Sequence, residues 1–267
     1  MEGVSGVVSY LQTEPGQPDY AFGRSMFQSD LMACLEGLLA GGAKEIVIYD
    51  EHYFGRNVDP SWLPEHVSVI CGKPPYRPDW AGGLDAAFEG VILLGFHSKF
   101  GTRNGLLHHS YEPDICNLRL NGVSVGEIGM EAAIAGDCGV AVLMVTGDSA
   151  GTREAERLLP GIRIVRVKES LSSSGGQCYP VSVTAGWIRD AARFIVENPP
   201  AVKPWRIGPR AELEIRFNPG SYLEAFRRLY APRMQNNRTI ILKGHGATEV
   251  WAKYWEMKLR TREKMSP

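Results

Sequence analysis

Cysteine is scarce and unpatterned: Cys34, Cys71, Cys116, Cys138 and Cys178 are the five in 267 residues, with no Cys-x-x-Cys spacing. An odd, scattered set argues against a disulfide framework, and the five are read as buried thiols. Long apolar runs are missing, since no stretch approaches the roughly 18 uninterrupted apolar residues of a membrane span. The opening MEGVSGVVSYLQTEPGQP has neither a basic n-region nor a continuous apolar core, so a secretory leader is not expected and the chain is read as soluble and cytoplasmic. Charge of one sign is lacking too: 29 Lys+Arg against 30 Asp+Glu leave a net charge of −1. Nothing global therefore draws the chain to nucleic acid or an anionic membrane. Phosphate-loop and dinucleotide patterns are absent, for EGVSG and LLAGG fit neither.

What is present suits a globular α/β protein. Hydrophobic residues make up 44% and charged residues 22%, enough to bury a sizeable core. Thirty Gly and 17 Pro cut the chain into short apolar runs alternating with segments of helical period. Ser25 to Leu39 reads as a helix stopped at Gly41-Gly42, and Glu45 to Asp50 as a buried strand. Gly90 to Phe96 and Val140 to Thr146 repeat that strand grammar, with Val125 to Ala135 as a helix between them. Helices are expected again over Ala150 to Leu159 and Val181 to Glu197, with a strand from Ile162 to Val167. The expected fold class is α/β, a mostly parallel sheet flanked by helices, with a smaller C-terminal α+β unit.

The boundary between those units falls near residue 200. The run ENPPAVKPWRIGP, Glu197 to Pro209, carries four Pro and favours extended backbone, which gives a domain over 1–200 and another over 201–267. In the second, ELEIRF and TIILK read as strands and Ser221 to Tyr230 and Ala247 to Arg260 as helices. SLSSSGG, Ser170 to Gly176, reads as a mobile loop.

Three strands deliver polar residues to one edge, where open α/β sheets bind ligands: Asp50, Glu51 and His52; His97; and Gly147-Asp148. His109 follows in RNGLLHHSYEP, Glu2 lies in the Gly-rich start, and Glu127 opens a helix in VGEIG. Mixed His and carboxylate groups without Cys suit a catalytic zinc or another divalent ion such as manganese or cobalt. Asp50 has two readings, a partner that orients His52 or the cap of a strand-end turn. Lys168 also has two, an oxyanion stabiliser or a solvated surface charge, while Asp148 reads as a helix cap and His245 as a structural turn residue. Tyr76 and Trp80, in GKPPYRPDWAGG, read as a substrate wall or a subunit contact.

Taken in order, MEGVSG, GR-x-x-M at Gly23 to Met26, YDEH ending at His52, LLGFHSK around His97, GLLHHS around His109, NG-x-x-VGE-x-G around Glu127 and VLMVTGD at Val142 to Asp148 resemble the zinc-dependent D-aminopeptidases of bacterial dipeptide-transport operons. The resemblance runs over nearly the whole chain. It implies two zinc ions per subunit at the sheet edge, with Glu2, His52, His97 and Glu127 as ligands. It implies His109 as the catalytic histidine, with His108 taking that role only if the register slips by one. It further implies hydrolysis of the amino-terminal amide of small peptides carrying D-residues, and a homo-oligomer, a decameric ring as in the family. The first Asp of the family's Asp-x-Glu pair would stand one place before Met1, so one or no metal is the expectation should that carboxylate be required. The alternatives are a non-catalytic oligomeric scaffold with a degraded metal site, or a related amidase acting on another small amide.

Overall fold

A computed structural model describes residues 1–72 and 81–265 of the chain. Tyr76 and Trp80 lie outside the described residues.

The chain opens with eight residues in turns, then forms helix α1 (Tyr20–Ala40), strand β1 (Ile46–Tyr49) and strand β2 (Val67–Ile70). Strands β3 (Val91–Phe96), β4 (Ile115–Leu120) and β5 (Val123–Val125) follow, then helix α2 (Glu127–Asp137), β6 (Val142–Asp148), α3 (Ser149–Leu158), β7 (Arg163–Ser172), β8 (Gly175–Cys178) and α4 (Val181–Glu197). The remainder is β9 (Ala211–Phe217), α5 (Ser221–Tyr230), β10 (Thr239–Gly244) and α6 (Gly246–Met265).

Three sheets result among the described residues. One has the order β3-β6-β7-β8, and its β3/β6 and β6/β7 pairs are parallel. Its apolar faces are covered by α1 and α4 on one side, around Met144, Val165, Val167 and Ile188, and by α2 and α3 on the other, around Val142 and Val145. β1 and β2 form a separate parallel pair. The third sheet, β10-β9-β4-β5, is antiparallel throughout, so the parallel character expected from sequence belongs to the first two only. Trp251, Tyr254, Phe217, Phe226 and Ile215 are fully or almost fully buried between that antiparallel sheet and α5 and α6. β4 and β5 contribute to this unit together with α2, so it draws on residues 115–134 as well as on the chain after 211.

Two sequence readings differ from the structure. Ser170 to Gly176 is the tip of the β7/β8 hairpin, in which Ser170 pairs with Gly176 and Ser172 with Gly175. Among the cysteines only Cys34 is buried, whereas Cys71 and Cys178 are exposed; all five are free. Among the described residues no helix is long and apolar enough to cross a membrane.

β1 and β3 are not hydrogen-bonded to each other. A cavity of about 1980 Å³ runs along both of them, lined by residues 44–52 and 90–97 and walled by Leu31, Leu35 and Ile195. At its far end it opens on the polar strand ends.

Candidate metal centre

The N-terminal turn sets Glu2 at this edge. Gly3 donates its N–H to Gly95 O at 3.0 Å, so the chain hugs the end of β3. A Cβ on Gly3 would stand 1.8 Å from Phe96 O, which makes the missing side chain a condition of this approach. Glu2 is buried, and its Oε1 meets His52 Nε2 at 3.1 Å while its Oε2 meets the Met1 ammonium at 3.0 Å. Burial alone would raise its pKa, but the ammonium and His52 outweigh that and hold the carboxyl well below its ordinary value.

His52 sits in the loop after β1, and Asp50 shapes that loop without touching the imidazole. Its carboxylate accepts from Asn57 N at 2.6 Å, Asn57 Nδ2 at 2.7 Å and Val58 N at 2.9 Å. Asn57 Nδ2 also donates to His52 O at 2.8 Å, so of the two sequence readings for Asp50 the turn cap holds. The Gly23–Arg24 motif serves the same loop. A Cβ at Gly23 would strike Gln12 O at 1.8 Å, and Arg24 Nε donates to Asn57 O at 2.9 Å.

His97, His109 and Glu127 form the second half of the site, with one ligand atom from each within 4.8 Å of the others. His97 is 3% exposed, and its Nδ1 lies 3.0 Å from Ser98 O, an acceptor. His109 Nδ1 lies 2.9 Å from Leu107 O in the same way. Each ring is thus a donor at Nδ1 and turns Nε2 inward, where release of the Nε2 proton leaves a lone pair for a cation. Both Nε2 atoms approach Glu127 Oε1, at 3.3 Å and 3.5 Å. His97 Nε2 is buried without a hydrogen-bond partner of acceptable geometry.

Glu127 opens α2, where the helix dipole favours a carboxylate, and it accepts from Tyr111 N at 2.7 Å. Asn104, Leu107 and Tyr111 in the intervening loop all have positive φ, 56°, 50° and 61°. Strain of this kind is retained where the surroundings fix it, as at ligand sites. Burial opposes charge on His97, yet Glu127 overrides it and lifts the pKa to about 9. Glu127 itself, raised by burial, is pulled the other way by His97 to about 2. Burial and then His97 push His109 below its ordinary value.

The structure thus brings Glu2, His52, His97, Glu127 and His109 to one edge, where all five line the cavity. His108 turns away, accepting from Gly101 N at 3.1 Å with its ring against Phe100. Asp148 caps α3 through Ala150 N and Gly151 N, and His245 sits exposed at the start of α6 with its N–H on Glu249. Lys168 is neither a surface charge nor directed at the cavity: it is fully buried. Tyr111, Tyr10 and Glu131 were not singled out by sequence reasoning. Tyr111 Oη donates to Glu131 Oε1 at 2.5 Å, and Tyr10 stands edge-on to His109 with ring centroids 5.9 Å apart. The only sequence signal for the two tyrosines is nearness to Glu2 and His109.

A His/His/Glu cluster with one buried and two half-buried members, beside a Glu/His pair on an α/β sheet edge and opening on a large cavity, defines a hydrolase of the metallopeptidase type. Residues 1–254 match the family model described as D-aminopeptidase, and the chain belongs to that family of peptidases. It is 30% identical over 218 residues to a D-aminopeptidase of Bacillus subtilis (strain 168), covering 81% of this chain and 78% of that protein. A solved structure, described as the Zn-dependent D-aminopeptidase DppA from Bacillus subtilis, a self-compartmentalizing protease, superposes with a TM-score of 0.87 at 26% identity, covering 98% of this chain and 94% of that one.

Proposed function

We propose that this chain is a zinc-dependent aminopeptidase that cleaves the amino-terminal amide bond of short peptides carrying D-residues. The observation that carries the reading is the convergence of His97 Nε2 and His109 Nε2 on Glu127 Oε1, with His97 Nε2 buried and its approach to the carboxylate outside hydrogen-bond geometry. A buried imidazole nitrogen without a well-formed hydrogen bond is costly, and a cation between the three groups would remove that cost.

The donor set fits zinc, two imidazole nitrogens and carboxylate oxygens with no thiolate. Glu2, His52, His97 and Glu127 would hold it, while His109 serves as the acid/base group. When bound, zinc acidifies a water molecule and polarises the scissile carbonyl. His109, held at Nδ1 by Leu107 O, exchanges a proton at Nε2 with the reacting groups and delivers it to the leaving amine. Its lowered pKa keeps the ring neutral and able to accept.

The relative's description as self-compartmentalizing supports a homo-oligomer for this chain as well. Trp187, Phe194 and Leu171 present apolar surface on α4 and the β7/β8 hairpin, 43%, 47% and 63% exposed, as a subunit contact would use. Five free cysteines suit a reducing compartment such as the cytoplasm. The deciding experiment measures zinc per chain by elemental analysis, then compares hydrolysis of D- and L-aminoacyl anilides before and after chelation. Zinc binding with D-selective, chelator-sensitive hydrolysis is expected. A chain that binds no metal and cleaves neither substrate is a scaffold, and the proposal fails.

A further inference from the structure

Lys168 lies on β7 at the carboxyl end of the parallel strands, paired with Asp148 of β6 and Cys178 of β8, with no exposed surface. Its ammonium donates to Glu2 O at 2.6 Å, Val4 O at 2.7 Å and Val7 O at 2.5 Å. All three of its hydrogens are therefore used on the backbone of one short segment. That segment, residues 1–8, belongs to no helix or strand, and Val4 and Val7 have no exposed surface. Val4 O also accepts from Val7 N at 3.3 Å, but the carbonyls of Glu2 and Val7 would lose their donor without this ammonium.

We infer that Lys168 is a positioning residue of the metal centre. By gathering three carbonyls onto one point it curls residues 2–7 into the turn that presents the Glu2 carboxylate to His52. The turn has other restraints, for Ser5 donates its N–H to Asp30 Oδ2 at 2.9 Å and its hydroxyl to Thr184 Oγ1 at 2.9 Å. These hold the far side of the loop, while the Glu2–Gly3 peptide is held at its N–H by Gly95 O at 3.0 Å and, among the described hydrogen bonds, at its carbonyl by Lys168 alone. The inference rests on the metal-site reading above, with Glu2 as a ligand. Groups that orient ligands in this way commonly change metal affinity about 10–100-fold when removed.

The test uses the full chain. Lys168→Met keeps the length of the side chain and deletes all three donors. Ile215→Ala, in the buried antiparallel sheet, lowers stability without approaching the site. For each, zinc affinity of the folded protein is measured by competition with a chromophoric chelator, and amide exchange is followed in the metal-free protein. Lys168→Met is expected to weaken zinc about 10–100-fold and to release the amides of residues 3–8, while Ile215→Ala keeps both at wild-type levels despite its lower Tm. Wild-type zinc affinity in Lys168→Met, or an equal loss in Ile215→Ala, overturns the inference. Should Lys168→Met fail to fold, Lys168→Arg decides: it retains charge and donors but displaces them, and is expected to weaken zinc several-fold. An Arg variant with wild-type zinc affinity would show that the lysine serves folding alone. If the wild-type chain binds no zinc, the functional reading fails separately, and exchange at residues 3–8 still reports what Lys168 holds.

Discussion

The imidazoles of His97 and His109 stack with centroids 4.1 Å apart and planes 16° from parallel. Two stacked imidazoles cannot both carry charge at low cost, and each here has its Nδ1 occupied by a carbonyl. What remains is a pair of inward Nε2 atoms over one carboxylate. Replacing Glu127 by Gln or His97 by Ala is therefore expected to weaken zinc by more than the roughly 10–100-fold that loss of a group orienting a ligand costs, and to abolish hydrolysis. Far-ultraviolet circular dichroism should stay native, because both residues sit at the sheet edge. Metal analysis after gel filtration checks the first point, and retention of stoichiometric zinc by Glu127→Gln would contradict the assignment.

Adjacent histidines give a cleaner separation of roles. His109 faces the cluster and His108 faces Phe100. Removing an acid/base group typically costs about 10²–10⁴-fold in rate. His109→Ala should lose kcat on that scale with little change in KM and should retain zinc, whereas His108→Ala should stay within a few-fold of wild type. Steady-state kinetics on the two variants reads the difference, and equal losses would place both histidines in the reaction.

Much of this site was legible in the chain because strand ends announce themselves. β1 and β3 each stop at a polar residue, and α4 and α5 have the bounds their periodicity predicts, Val181–Glu197 and Ser221–Tyr230. The antiparallel sheet was less visible. In β4 the run ICNLRL alternates buried Ile115, Leu118 and Leu120 with polar residues, and its partner β9 pairs with it at separations of 93 to 102 residues, beyond the reach of local pattern. Asn121 and Gly122, with φ of 49° and 81°, form the tight hairpin turn that an Asn-Gly pair signals. That pair is a local signal, and it stands within the NG-x-x-VGE-x-G motif. Lys168 could not be placed at all, because what fixes it is the set of carbonyls 161–166 residues away, and no spacing encodes that.

Asp30 supplies a pH dependence outside the metal cluster. It is fully buried, and the desolvation raises its pKa to about 6, with the Ser5 hydrogen bonds and Lys168 acting in the opposite sense. Unfolded, it titrates near 4. Between those values the folded chain holds a proton that the unfolded chain has lost. Asp30 therefore stabilises the fold while protonated, and that contribution falls as pH rises from about 4 to about 6, on the order of 3 kcal/mol. Asp30→Asn, neutral throughout, should flatten this slope in urea unfolding measured at half-unit pH steps. An unchanged slope in the variant would assign the dependence to other carboxyls.

The space between β1 and β3 makes a last, structural prediction. Residues 46–49 are apolar yet only partly buried, although strands inside parallel sheets are ordinarily covered on both faces. The cavity runs along this strand and along β3, beneath Leu31, Leu35 and Ile195. At its upper end the Gly3 to Gly95 hydrogen bond starts a parallel path beside β3. An extended segment fused in front of residue 1 would thus enter between the two strands, and about six residues, roughly 20 Å, would span them. A Val/Ile-rich hexapeptide in that position is expected to raise Tm by about 5 °C or more and to protect the amides of β1 and β3 from exchange. It does so despite removing the ammonium partner of Glu2. A Gly/Ser hexapeptide of equal length offers the same backbone without the apolar side chains and should give no such gain. If the two fusions unfold at the same temperature, the space does not accept a strand, and the partly buried residues of β1 must be covered in some other way.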